Sequence, residues 1–469
     1  MSESAQQSIS LAILNGDRQI LVDRSGGVPA LPCVDIPRFT RLAYALTIAA
    51  REKYRLELFV ITTTVADAGS LSTDSNPAWL ISVCRLQDES ALLPGHIEWF
   101  DPVKAESEMP LKDGRMISRA LEEQNLYERG IKPSSFGRYS ALDDLRSWYA
   151  PHLAKLGVRK SSIQQWNGDP WFALFRVVVE PIGEAKPETP KALWFKAVGE
   201  PNTREFAVTQ LLARECPWWF STVVATKPEV NGWLAEEVDG HELDLEPDGR
   251  PWALTARVLA KIQTLFINRE DELLDLGCED WRIPRILERI DPFFESMIEI
   301  MARQMQSQSA ALTASEVQHV AQQCRDLCRE VEDIDIPYSL AHGDFSPHNV
   351  IVHNTWPVMI DWAEAYVTFP FISWEFFWNR MSKDHPEHAE WRERMHRNYA
   401  YRSWTSILGR NRVDEGLRYS PAMAVLVHAL QGSEDTISGK PDPSLDKIRR
   451  SLVRRLHREL ELLQPVGAL

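Results

Sequence analysis

Three polar side chains in one short stretch have the types and spacing that phosphoryl transfer requires. In His342-Gly343-Asp344-Phe345-Ser346-Pro347-His348-Asn349 an aspartate is followed five residues later by an asparagine, and Asp361 comes after the apolar run Pro357-Val358-Met359-Ile360. In such a reaction one carboxylate accepts or orients the proton of the attacking hydroxyl. An amide oxygen and a second carboxylate hold Mg²⁺ against the phosphates of ATP. A loop followed by a hairpin lets Asp344, Asn349 and Asp361 converge. His348 reads either as a loop-packing or solvent residue or as one that faces the substrate.

The pattern HGDFSPHN followed by IDW resembles that of the aminoglycoside phosphotransferase and choline kinase family, relatives of the protein kinases. The resemblance implies Asp344 as the catalytic aspartate, Asn349 and Asp361 as Mg²⁺ ligands, and His342 as a brace for the loop. It also implies a strand lysine that grips the α- and β-phosphates and a helix glutamate that holds this lysine. Lys196, in KALWFKAV, and Glu205, on the following helix, stand in the right order. A phosphate-covering loop is expected at WNGDPWF around Gly168, poor in glycine for that role. An ordinary hairpin turn is the other reading. A hinge is expected at GWLAEEVDGHEL, with the backbone around Glu236, Glu237 and Val238 meeting the adenine edge. KIQTLF and the Pro370-Phe371 pair look like features of one bacterial branch. One departure is that FPFISWEF lacks the aspartate that braces the catalytic loop in many relatives, leaving Glu375 or Ser373 as substitutes.

These residues need elements to hold them, and the apolar patterning supplies three regions. Residues 1–135 read as an extra N-terminal α/β domain: a hairpin turning at Asn15-Gly16, a helix over 37–53, two strands at LELFVITTT and AWLISVCRL, and a proline- and charge-rich end. Residues 136–238 read as a small lobe. It has a helix capped by Gly157, strands SSIQQW, WFALFRVVVEP and KALWFKAV, a helix at NTREFAVTQLLAREC, and two more apolar runs. Residues 239–469 read as a mostly helical lobe with one β-rich island around the HGD motif. The expected fold class is α+β: a bilobal protein-kinase-like fold with a small antiparallel sheet lobe and a helical lobe, preceded by the extra domain.

The N-terminal region has a likeness to the Nudix fold in its hairpin, its LPCVDIP turn and its helix ending in Arg51-Glu52. The chemistry does not carry over. Arg55 and Leu56 stand where two metal-binding glutamates belong, and neither chelates a hard cation. A catalytically dead module for binding, gating or dimerisation is the expectation, with an unrelated α+β domain as the alternative.

Bulk properties narrow the partners. The chain has 469 residues, 44% of them hydrophobic, and a formal net charge of −15, so it holds enough apolar residues for full cores. An acidic surface disfavours nucleic acid and anionic membranes as partners. The polar N-terminus and the lack of long apolar runs imply a cytoplasmic protein. The six cysteines form no CxxC pair and read as free structural thiols.

The expected activity is ATP- and Mg²⁺-dependent transfer of the γ-phosphate to a hydroxyl of a small aminoglycoside, sugar or amino-alcohol-type molecule. The competing class is a pseudokinase that binds nucleotide without phosphoryl transfer. Asp239, Glu242, Asp244, Glu246, Glu364 and Glu375 read either as recognition of a cationic or polyhydroxyl acceptor or as solvated faces. Trp362, Trp374 and Trp378 read either as stacking platforms or as core. The last helix, with Ile448, Leu452, Leu456 and Leu460 on one stripe flanked by arginines, reads as a dimer seam, a cationic wall near the substrate, or an amphipathic helix packed on the large lobe.

Overall fold

The structure, a computed structural model, describes residues 6–38, 41–66, 79–184, 189–304, 310–384, 386, 401–431 and 443–463. Contacts divide the chain into two compact units, residues 1–206 with 222–237 and residues 207–221 with 238–469.

The first unit holds two sheets. The six-stranded sheet contains β1 (Gln6–Leu14), β2 (Ile20–Asp23), β3 (Cys33–Pro37), β4 (Leu58–Ala66), β5 (Trp79–Leu86) and β6 (Ile97–Phe100), in the order β4-β5-β1-β2-β6 with β3 also paired to β1. β1 runs parallel to β5 and antiparallel to its other partners. Side chains alternate across a strand, so β1 sends Ile9, Leu11 and Ile13 to one core and Ala12 and Leu14 to another. Helix α1 (Leu42–Tyr54) covers the first of these with Ala43, Leu46 and Ala50.

The expected hairpin at Asn15-Gly16 is present with a longer turn. Leu14 pairs with Ile20, and the Asn15 side chain accepts from the Gln19 amide at 2.8 Å. At the end of α1, Arg55 adopts the left-handed conformation of a helix cap, Leu56 is buried, and Arg51 pairs with Glu57 at 2.7 Å. This helix end is closed by packing and an ion pair.

Helices α2 (Ala105–Glu108) and α3 (Leu111–Glu128) follow. The 18-residue α3 occupies sequence read only as a proline- and charge-rich end. Pro110 precedes its first turn, and Asp113, buried, accepts the Leu31 amide at 3.0 Å. Helix α4 (Ala141–Lys155) ends at Gly157, whose φ of 73° is the conformation that glycine makes cheap.

The five-stranded antiparallel sheet comprises β7 (Val158–Gly168), β8 (Ala173–Pro181), β9 (Ala192–Ala197), β10 (Val223–Lys227) and β11 (Gly232–Glu236), in the order β10-β11-β9-β8-β7. Helix α5 (Arg204–Glu215) follows β9. Phe59, Ile61, Ile117, Leu142, Phe175 and Phe195 share one hydrophobic core, so both sheets pack into a single body.

The second unit is mostly helical. Helices α6 (Gly249–Leu265), α7 (Glu270–Asp275), α8 (Ile283–Ala302), α9 (Ala314–Asp333) and α10 (Ile372–Asp384) are joined by the helices Tyr401–Leu408, Arg410–Gln431 and Pro443–Leu463. Thr313 and Glu316 form a reciprocal capping box at the start of α9. Two three-stranded sheets are inserted: β12 (His241–Glu242) with β15 (Val350–His353) and β16 (Trp356–Met359), and β13 (Glu279–Trp281) with β17 (Tyr366–Thr368) and β14 (Ser339–Ala341).

Three arginines of the last helix make packing contacts. Arg450 donates to the Ile300 carbonyl near the end of α8, Arg454 to the Ala310 carbonyl, and Arg455 to Asn379. Arg450 thus meets the C-terminal end of α8, where the helix dipole favours a cation. Among the described residues no helix is long and apolar enough to cross a membrane.

Candidate functional site

The first unit contributes an ion pair on the five-stranded sheet. Lys196 sits on the central strand β9, opposite Leu174 of β8 and Trp233 of β11. Its Nζ lies 2.5 Å from Oε1 of Glu205 on α5, and the side chains retain only 13% and 1% exposure. A carboxylate this buried is held there by its cation. The ammonium also lies 6.0 Å from the centre of the Phe172 ring. The resemblance together with sequence order suggested this pairing, and the fold brings the two side chains together.

Gly168 ends β7 opposite Ala173, and a Cβ there would lie 2.8 Å from the Val60 carbonyl oxygen and 2.6 Å from Gln165 Nε2. Close packing against β4 therefore accounts for this glycine. The turn itself is Asp169–Phe172, where the Asp169 carboxylate accepts the amides of Trp171 at 2.7 Å and Phe172 at 3.0 Å. At the expected hinge, the Glu236 amide donates to Thr222 and the Glu237 amide to Ala192. The Glu237 carboxylate is gripped by Arg176 at 2.5 and 2.6 Å and by Trp194 Nε1 at 2.9 Å. Burial raises the Glu236 carboxyl above the usual carboxylate range.

The second unit contributes the loop and hairpin. The HGD loop follows β14, and a short turn, Pro347–Asn349, leads into β15. Asn349 Nδ2 donates to the Asp344 carbonyl at 2.8 Å and to its carboxylate at 3.1 Å. With Nδ2 committed to Asp344, Oδ1 is the atom of this amide offered to a cation.

The β15–β16 hairpin pairs Val350 with Met359, and the Ile360 amide donates to the Asn349 carbonyl at 3.0 Å. The Ile360 carbonyl faces Nε2 of His342 at 3.0 Å. A carbonyl only accepts, so Nε2 carries the proton. Both sides of the Ile360 peptide are thus pinned, and Asp361 follows directly with a φ of 63°, uncommon for a non-glycine residue. Departures of this kind concentrate at functional sites. Burial lowers the His342 imidazole below its ordinary value and keeps it neutral.

Gly343 allows this crossing of chains. Its φ is 85°, and a Cβ there would lie 2.1 Å from the Glu364 carbonyl oxygen. Phe345 is buried and stacks on Phe377 of α10 with centroids 4.9 Å apart. This aromatic stack is one anchor of the loop. Glu375 accepts from Ser420 at 2.8 Å, and Ser373 is buried. Nothing in the sequence distinguished Phe345 and Phe377 from other core aromatics.

His348 donates from Nδ1 to Glu242 at 2.7 Å, and its Nε2 lies 3.7 Å from Asp244. Part of the acidic cluster therefore holds the loop histidine. Trp362, Trp374 and Trp378 are each at most 2% exposed, so they are core and not stacking platforms. Among the described residues no group of three or more His, Cys, Asp or Glu side chains is placed to hold a metal ion by itself. The hard oxygen donors of Asn349 and Asp361 suit a Mg²⁺ whose remaining ligands are phosphate and water oxygens.

Residues 197–409 match the profile of the phosphotransferase enzyme family. No curated protein matches the chain. Among solved structures, a choline kinase from Cryptosporidium parvum is 13% identical with a TM-score of 0.46, over 70% of this chain and 98% of that one. A choline/ethanolamine kinase family protein from Mesorhizobium loti is 16% identical with a TM-score of 0.43, over 68% of this chain and 98% of its own. An ethanolamine kinase from Plasmodium vivax is 15% identical with a TM-score of 0.44, over 71% and 94%.

Proposed function

We infer, from the match of residues 197–409 to the phosphotransferase enzyme family, that this small-molecule kinase moves the γ-phosphate of ATP to a hydroxyl group of its acceptor with Mg²⁺ bound. The observation that carries the reading is the Asp344–Asn349 pair on a loop tied, through Asn349 and His342, to the peptide before Asp361. Phosphoryl transfer asks little covalent chemistry of a protein. It asks for placed charges and placed oxygens.

Each side chain then has a part. Lys196, kept in place by Glu205, neutralises the α- and β-phosphates. Asn349 and Asp361 would hold Mg²⁺, which when bound draws charge from the β- and γ-phosphate oxygens. Asp344 accepts a hydrogen bond from the acceptor hydroxyl and aims its oxygen in line at the γ-phosphorus. The oxygen–phosphorus bond forms as the bond to the β–γ bridging oxygen breaks, ADP leaves, and the hydroxyl proton passes to Asp344. At the hinge, the backbone around Glu236, Glu237 and Val238 is the stretch assigned to the adenine edge.

The acceptor belongs to the aminoglycoside, sugar or amino-alcohol type. Calorimetry with Mg·ADP tests the nucleotide half: the wild type should bind and Lys196→Ala should bind at least tenfold more weakly. ADP release against a panel of amino alcohols, sugars and aminoglycosides then identifies the acceptor. A chain that binds no nucleotide refutes the reading.

A further inference from the structure

The turn between β7 and β8 is fastened by residues outside the five-stranded sheet. Gln165 on β7 is 2% exposed, and its side chain makes a two-point bond to the backbone of Val60 on β4. It accepts the Val60 amide at 2.7 Å and donates to the Val60 carbonyl at 2.8 Å. The amide side chain thus pairs with the edge of the six-stranded sheet as a further strand would. Three residues on, Gly168 leaves no room for a Cβ against the same Val60.

The neighbouring contacts repeat the pattern. Gln87 at the end of β5 donates to the carbonyls of Leu58 and Ile163, both at 3.0 Å, joining β4 to β7. The Pro170 carbonyl, inside the turn, accepts the amides of Ser135 at 2.9 Å and Phe136 at 2.8 Å from the segment that enters α4. On the far side, Trp171 fills the space beside Gly199, where a Cβ would lie 2.7 Å from its own. The turn's one glycine is committed to packing.

We propose that the N-terminal six-stranded module is a positioning element for nucleotide binding, which holds the Gly168–Phe172 turn pre-formed for the phosphates of Mg·ATP, with Gln165 as the positioning residue. The inference rests on the nucleotide reading above. A turn that needs no closing loses little entropy when ligand arrives, and releasing it makes binding weaker.

Two measurements on the full-length chain test this. In the wild type, amide hydrogen exchange across residues 168–172 should be slow without ligand and change little with Mg·ADP. Fast exchange that becomes protected only with Mg·ADP overturns the inference. In Gln165→Met, which keeps the volume and removes both bonds, calorimetry should show the Mg·ADP Kd raised about tenfold. The acceptor KM and the binding of a control variant, Arg159→Ala, on an exposed surface pair of the same strand, should stay unchanged. Gly168→Ala, which presses on Val60 from the other end, should weaken Mg·ADP in the same way. If the wild type binds no Mg·ADP, the proposed function itself falls. If it binds and the folded variants bind equally well, only the positioning role falls.

Discussion

His342 Nε2 lies 3.0 Å from the carbonyl oxygen of Ile360, and this bond joins the loop carrying Asp344 to the strand end carrying Asp361. The imidazole is fully buried and neutral. An unfolded histidine titrates near its ordinary value of about 6.5, whereas this one titrates lower. Above that value neither state is charged and the group adds no pH dependence. As pH falls through it, the unfolded state takes up a proton first and the folded state loses stability, by up to about 1.4 kcal/mol per pH unit. His342→Gln keeps a donor for Ile360 and removes the titration. Thermal unfolding between pH 7.5 and 5.5 should therefore show a shallower decline in the variant.

Lys196 and Glu205 form a pair that is worth most when whole. Removing the lysine leaves a carboxylate that is 1% exposed without its principal cation, and Lys196→Met should lose about 3 kcal/mol of stability. The double variant Lys196→Met/Glu205→Leu should regain much of it without regaining nucleotide affinity. Denaturant unfolding and Mg·ADP calorimetry on the three proteins separate the two effects.

Gly343 meets two constraints at once, a φ of 85° and the Glu364 carbonyl 2.1 Å from any added Cβ. Gly343→Ala should cost about 3 kcal/mol or more and displace the loop, so turnover should fall much further than nucleotide binding. A variant with wild-type kinetics would contradict the described loop.

The cysteines give a simple check on packing. Cys84, Cys216, Cys278, Cys324 and Cys328 are buried, and burial raises the Cys84 and Cys328 thiols to about 12. Cys33 alone among the six is partly exposed. Under native conditions a thiol reagent should modify Cys33 first, slowed by the partial burial that raises its thiol, and the other five only after unfolding.

What was legible in the sequence follows from distance along the chain. Asp344 and Asn349 lie five residues apart and Lys196 and Glu205 nine, so their geometry is set by one loop and by one strand–helix step. Gly168 is different. The backbone that requires a glycine there belongs to Val60, more than 100 residues earlier, and no local pattern records it. Helix α3 was hidden because its charged residues and Pro110 resemble a linker, although Asp113 is buried on Leu31. Trp362, Trp374 and Trp378 sit beside the motif in sequence, yet the packing of the helical unit turns them inward. Residue type beside a motif left stacking and core both open for these tryptophans, and only the fold decides for the core.

The measurement that tests the central claim most directly is acceptor-dependent ADP release from Mg·ATP, comparing wild type with Asp344→Ala at matched nucleotide occupancy. The account predicts turnover in the wild type and a loss of several orders of magnitude in the variant, with Mg·ADP binding retained. Turnover that survives the loss of Asp344, or a wild type that binds nucleotide but transfers phosphate to no acceptor in the panel, would contradict it.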